Sequence, residues 1–225
     1  MKVLSLELSS SRRSVGLAEM GSCASAREVC LEPGTDLRRT AAFSLIEQVL
    51  APDSQRNEIG RLVIGLGPGS YTGIRVGISI AQGWAAAQQI ELIGVPTVEL
   101  LVEQVRRTGI TGTINFAFDA QRGELYLARY RFSEQGVEQA HPLQLVSVAE
   151  ATRRLSAGET VTGPDLERLL PQSTPLFPSA TVLAELGRVR SHFQQPEALE
   201  PVYLRETTFV KIAPPGPTRP TLVRL

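Results

Sequence analysis

The densest run of chemistry-capable backbone in this 225-residue chain is Gly65-Leu66-Gly67-Pro68-Gly69-Ser70-Tyr71-Thr72-Gly73. Glycines between a strand and a helix leave backbone N–H groups open to an anion at the helix N-terminus. The two common phosphate loops are nevertheless missing. A Walker A loop ends in Gly-Lys-Ser/Thr, and no lysine lies near; a dinucleotide fingerprint needs glycine three places after Gly67, where Ser70 stands. The glycines read either as a tight turn with close helix packing or as a ligand contact.

Glu7 closes the first apolar run and is followed by Ser9, Ser10 and Ser11. An acid and hydroxyls in such a turn could handle magnesium and phosphate, as at the start of the actin-like ATPases. The plainer alternative is a solvated edge carboxylate beside a serine turn. Metal and hydrolase chemistry have weaker starting material. His141, before Pro142 in an expected loop, and His192, near an expected helix end, form no HxxxH pair, and Cys23 and Cys30 lack zinc spacing. No GxSxG elbow occurs, and Asp119 and Glu124 flank a turn as solvated hairpin ends. The expectation is that this chain alone makes no metal site.

The elements that must position these groups follow from hydrophobic period and turn residues. Residues 2–8 and 13–19 predict a hairpin, with a third strand at 24–31 ended by Pro33-Gly34. Asp36 is a candidate N-cap for a helix over 37–50, with apolar rows on more than one face. Residues 61–66 are a continuous apolar strand feeding the glycine loop and a helix over 72–89. That helix carries a small-residue stripe at Gly73, Gly77, Ala81 and Ala85, which permits close backbone approach. A strand at 90–95 and a helix from Pro96-Thr97 to Arg107 complete the first half. The second half opens with a hairpin, 113–119 and 124–132, then strand 143–148, helix 148–156, strand 159–162 and helix 180–194. Four prolines in 213–220 predict a flexible tail. Two halves that each open on a hairpin suggest a structural duplication, and the class is α/β with mixed sheets.

Composition narrows the functions. Basic and acidic residues balance at 23 each, which gives no overall attraction to nucleic acid or anionic lipid. Of the basic residues only Lys2 and Lys211 are lysine. No apolar run reaches the roughly 18–20 residues of a membrane span, and the start lacks a signal-peptide h-region. Two cysteines make no disulfide framework, so a reducing, cytoplasmic setting is expected.

Taken as a whole, GLGPGSYTGIRVGISIAQGWA at 65–85 resembles the bacterial TsaB, or YeaZ, family, a subunit of the machinery that makes threonylcarbamoyladenosine in tRNA. Its G-x-GPGS[FY]TG[IL]R[IV]G pattern is met at Gly65, Gly67, Pro68, Gly69, Ser70, Tyr71, Thr72, Gly73, Ile74, Arg75, Val76 and Gly77. Ile93 to Thr97, Asp119-Ala120 with Gly123 to Tyr126, and Pro201 to Arg205 resemble further family segments.

The resemblance implies an actin-like (ASKHA) fold of two lobes, 1–109 carrying the partner-binding helices and a reduced 110–210, followed by the Pro-rich tail 211–225. It implies a non-catalytic scaffold that binds a TsaD-type catalytic subunit together with a TsaE-type ATPase, and forms a homodimer when alone. ATP and magnesium would enter only in the assembled complex, and tRNA only through it. The family's contact helices correspond here to 36–50 and 72–89, so the expected interface is Ala42, Leu45, Ile46, Val49, Gly77, Ala81, Trp84 and Ala85. Glu7, Ser9 and Ser10 are the residual nucleotide-site candidates. The chain departs from the family at Glu7, usually Asp; at Arg38 and Arg39, often His followed by Ser or Thr; and at Gln121, usually Arg. The rival reading is an autonomous ATP-dependent transferase or glycoprotease-like hydrolase built on Glu7, Ser9 to Ser11 and the 67–73 loop.

Overall fold

The computed structural model describes residues 1–21, 26–33, 41–51, 55–202 and 204. Two five-stranded mixed sheets form the frame. Strands β1 (Lys2–Glu7), β2 (Arg13–Glu19) and β3 (Arg27–Leu31) make an antiparallel meander, while β4 (Ile59–Gly65) and β5 (Glu91–Val95) add to the other side of β1 in parallel. The spatial order is β3-β2-β1-β4-β5. In the second half β6 (Gly112–Asp119), β7 (Glu124–Ser133) and β8 (Gly136–Ser147) make another meander, and β9 (Thr160–Gly163) and β10 (Thr174–Pro175) continue in parallel from β6. The order β10-β9-β6-β7-β8 is the first order read from the other edge. The duplication that the sequence only hinted at is a repeat of topology, and the whole is an α/β fold of two mixed sheets.

Helices α1 (Ala41–Leu50) and α2 (Tyr71–Ala87) flank β4 in sequence; α3 (Thr97–Arg107), α4 (Val148–Ser156) and α5 (Ala180–Val189) follow. Between β9 and β10 the second half has turns where the first half has α2 between β4 and β5. The cores interlock. Val98, Leu101 and Val105 of α3 pack with Ile114, Phe116 and Phe118 of the second sheet, whereas Leu183 and Ala184 of α5 pack with Val3 and Val63 of the first. Both ends of α5 are held by the first sheet: Ala180 N donates to Glu28 Oε1 at 2.7 Å, and buried Arg61 donates from Nη1 to the carbonyls of Gly187, Arg188 and Arg190. A carboxylate at the N-terminus and a guanidinium at the C-terminus both suit the helix dipole.

Several expected boundaries move. The strand expected at 143–148 begins at Gly136, so His141 and Pro142 lie within β8 and not in a loop. β8 is an edge strand, where proline's missing N–H removes no ladder bond. α5 stops at Val189, which leaves His192 beyond the helix. The first helix is described from Ala41, so the Asp36 cap and Arg38 and Arg39 lie outside the described residues, as do Cys23 and the tail 211–225. Among the described residues no helix is long and apolar enough to cross a membrane.

Candidate functional site

The glycine loop joins β4 to α2, and its glycines are explained by the first hairpin seated on it. A Cβ at Gly65 would stand 2.0 Å from Glu7 Oε2, one at Gly69 2.1 Å from the Ser9 carbonyl oxygen, and one at Gly73 1.8 Å from the Leu8 carbonyl oxygen. Gly67 has φ +85° and Gly69 φ +148°, left-handed backbone that side chains disfavour. The loop's donors turn inward as well. Ser70 N donates to Ser9 O at 2.6 Å, Gly67 N to Thr97 Oγ1 at 3.1 Å, and Gly73 N to the N-cap Ser70 Oγ at 3.2 Å. Thr97 N donates to Gly67 O at 2.6 Å, tying the loop to the start of α3. Of the two readings open for the glycines, close packing has its atoms in place.

Glu7 is neither a solvated edge carboxylate nor open to the cleft: it is fully buried. Its Oε1 accepts from Ser9 N at 2.8 Å, while Oε2 has no hydrogen-bond partner and faces the Gly65 backbone. Burial pushes its carboxyl from 4.5 up to about 7, against the opposing pull of the Ser9 bonds. Ser9 and Ser10 are buried too, Ser10 donating to the Arg12 carbonyl at 2.9 Å. Ser11 reaches the other half, donating from both N and Oγ to the Asp165 carboxylate. Asp119 and Gln121 form a local turn in which Gln121 N donates to Asp119 Oδ1 at 2.6 Å.

The residues expected at a partner interface are mostly interior. Ala42, Leu45, Ile46 and Val49 of α1 are buried in the chain's own core, together with Ala81 of α2. Gly77 faces Ile64 of β4, where a Cβ would approach to 3.2 Å. The small-residue stripe thus seats α2 on its own sheet. Spacing alone identified a close contact and not which surface makes it. Ala85 is half-buried against the same core, and of the expected set only Trp84 also opens outward.

What faces outward is a groove of about 600 Å³ between α1 and α2, lined by Phe43, Tyr71, Thr72, Arg75, Val76, Ser79, Ile80, Gly83 and Trp84. Phe43 is 58% exposed and Tyr71 54%, large apolar surfaces left to water at a site otherwise shaped like a binding cleft. The Arg75 guanidinium lies 4.1 Å over the Tyr71 ring, which fixes both side chains at the groove's open end. The lining residues missed in the sequence had a signal there: Phe43 falls out of phase with Ala42, Leu45, Ile46 and Val49, and Val76, Ser79 and Gly83 occupy the face of α2 opposite its small stripe.

Comparison with known proteins places this architecture. A family model described as TsaD, tRNA N6-adenosine threonylcarbamoyltransferase, matches residues 39–185. The tRNA threonylcarbamoyladenosine biosynthesis protein TsaB of Escherichia coli K12 is 30% identical over 95% of this chain and 99% of its own. The protein of the same name from Haemophilus influenzae is 26% identical over 94% and 97%. The solved structure of YeaZ from Pseudomonas aeruginosa has the same fold, with a TM-score of 0.70 at 22% identity over 90% of this chain and 99% of that one. With the motif, the paired sheets and near full-length likeness in agreement, the chain belongs to the TsaB (YeaZ) family of tRNA threonylcarbamoyladenosine biosynthesis proteins.

Proposed function

We propose that this chain acts in tRNA threonylcarbamoyladenosine synthesis as a non-catalytic cytoplasmic scaffold that docks a TsaD-type catalytic subunit on the groove between α1 and α2. The observation that carries this reading is the groove itself: three aromatic side chains, Phe43, Tyr71 and Trp84, around an open cleft on two adjoining helices. Exposed aromatics with an arginine beside them on a concave face are the usual anchors of a protein interface. A TsaE-type ATPase joins the assembly, ATP and magnesium belong to the complex, and tRNA reaches this subunit only through it. When alone, the chain covers the same groove by pairing with a second copy.

The glycine loop supports the absence of catalysis. The space beside Gly65, Gly69 and Gly73 is filled by the chain's own Glu7, Ser9 and Leu8, and Glu7, the acid on which the rival nucleotide enzyme depends, is fully buried. The test is threonylcarbamoyl transfer to tRNA by the cognate TsaD-type subunit, its adenylate-producing partner and the TsaE-type ATPase, with and without this chain, alongside light scattering. Transfer that requires this chain, and loss of both complex and transfer on Val76→Asp, is the expected result. Transfer indifferent to the chain, or nucleotide turnover by the isolated chain that Glu7→Ala abolishes, would overturn it.

A further inference from the structure

One helix, α3, packs against both sheets and carries both of their connections toward one end. Its Leu100 lies in the core that holds Val3 and Val63 of the first sheet, and its Val98, Leu101 and Val105 in the core that holds Phe116 and Phe118 of the second. The chain crosses into the second half just after Thr108, at the C-terminal end of α3. It returns beside Gln104 of the same helix, whose Nε2 donates to Phe177 O at 3.0 Å and whose Oε1 accepts from Ser179 N at 2.8 Å. The turn of the first hairpin lies at the opposite end: Thr97, the first residue of α3, donates from Oγ1 to Ser9 Oγ at 3.2 Å. Both connections therefore stand about 10–16 Å along α3 from that turn, at about 1.5 Å per residue.

We propose that Ser11 and Asp165 form a latch that fixes the angle between the two halves at the end of α3 away from their connections. Ser11 donates from N to Asp165 Oδ2 at 2.8 Å and from Oγ to Asp165 Oδ1, so one carboxylate takes both donors. Each side of the latch is anchored in its own half. The Ser11 turn is held within the first half by Ser9 N on Glu7 Oε1 and by Ser70 N on Ser9 O. Asp165 follows Gly163, where a Cβ would stand 1.9 Å from Ala117 O of β6, and precedes Leu166, buried in the core of the second half. Asp165 itself has φ +57°, an uncommon backbone conformation for a residue with a side chain, and from it the carboxylate reaches Ser11. Hydrogen bonds to an ionised group are the stronger kind. With both anchor points rigid, their loss frees the angle between the halves and leaves the turn and the loop in place. A partner gripping the groove of the first half then carries the second half at a set angle. That consequence rests on the function proposed above, whereas the latch belongs to the chain alone.

The experiment uses the full chain with Cys23→Ser and Cys30→Ser and spin labels on Thr72→Cys and Gln144→Cys, exposed positions in the two halves, at dilutions where light scattering gives the mass of one chain. The parent should give one narrow label-to-label distance. Asp165→Gly keeps the left-handed backbone and removes the carboxylate. In that variant the distance distribution should widen and its mean lengthen, and the Ser11 amide should exchange with solvent about tenfold faster or more. Asp165→Asn, whose amide can accept from Ser11 N and donate to Ser11 Oγ, should stay close to the parent. The Ser9 amide, bonded to Glu7, and the Leu169 and Leu170 amides, both bonded to Leu166 O, should exchange as in the parent in every variant. A narrow, unshifted distance in Asp165→Gly overturns the proposal. So does widening that comes with faster exchange at Ser9 or Leu169, because the turn or the loop has then loosened instead of the latch. Should Asp165→Gly fail to fold, Ser11→Ala, which removes only the hydroxyl's bond, gives the same reading: partial widening supports the latch and none overturns it. Every reading is made without a partner, so failure of TsaD-type docking leaves the latch standing and failure of the latch leaves docking standing.

Discussion

Glu7→Gln tests the buried carboxyl at the centre of the loop. In the folded chain its proton is held up to about 7, against an ordinary 4.5, chiefly because burial penalises the charged form and secondarily because Glu28 adds negative potential. The shift corresponds to about 3 kcal/mol at about 1.4 kcal/mol per unit. Between pH 4.5 and 7 the folded chain binds a proton that the unfolded chain has released, so this group's contribution to stability falls as pH rises. Below pH 4.5 both states are protonated and the group is neutral to stability; above pH 7 the full cost of about 3 kcal/mol is present. Glutamine keeps the Oε1 acceptor for Ser9 N and has no charge to lose, so the variant should match the parent near pH 4.5 and exceed it by about 3 kcal/mol at pH 8. Urea unfolding across pH 4.5 to 8.5 at one fixed protein concentration reads this directly, concentration being held because association adds to apparent stability. Parallel stability profiles for the two chains would refute the assignment of a protonated, desolvated Glu7.

Gly65→Ala should destabilise by about 2 kcal/mol or more, through overpacking against the Glu7 carboxyl, and Glu7→Ser should recover part of the loss in a double-mutant cycle followed by denaturant unfolding. Two glycines of α2 should diverge: Gly73→Ala, aimed at the Leu8 carbonyl, should destabilise strongly, whereas Gly83→Ala, aimed at open space, should raise the thermal midpoint by an increment worth about 0.5–1 kcal/mol of helix propensity. Glu28→Ala removes the acceptor at the N-terminus of α5 and should cost about 1–2 kcal/mol, visible as faster amide exchange at Val182 and Leu183 before global unfolding.

The hairpins, the buried parallel strand β4 and the helix after the loop were legible because each has a period or a turn chemistry that local sequence carries. Local sequence shortens the edge strand β8 to its last residues because His141-Pro142 reads as a loop, and only its position at the sheet margin makes proline harmless there. The stripe Gly73, Gly77 and Ala81 is a contact face, and what it contacts is the chain's own sheet and not a partner. Small residues at four-residue spacing say that something approaches closely, and the approaching surface was the chain's own β1 and β4. Glu7 is the clearest case of what sequence conceals: its burial is set by Gly65, more than fifty residues away, and by Thr97 beyond that.

Those same contacts link the motif to the outer face of α2. Glu7, Leu8 and Ser9 fill the spaces at Gly65, Gly73 and Gly69, so one turn of the first hairpin fixes both the loop and the first turn of α2. The next residue but one, Ser11, ties that turn to Asp165 in the second half. A helix held this way on its inner side presents its outer side, Tyr71, Arg75, Val76 and Ser79, at one angle to Phe43 of α1. The glycine loop is thus a mount for α2, and if the outer face of α2 docks a partner as proposed, damage to the mount should weaken that docking.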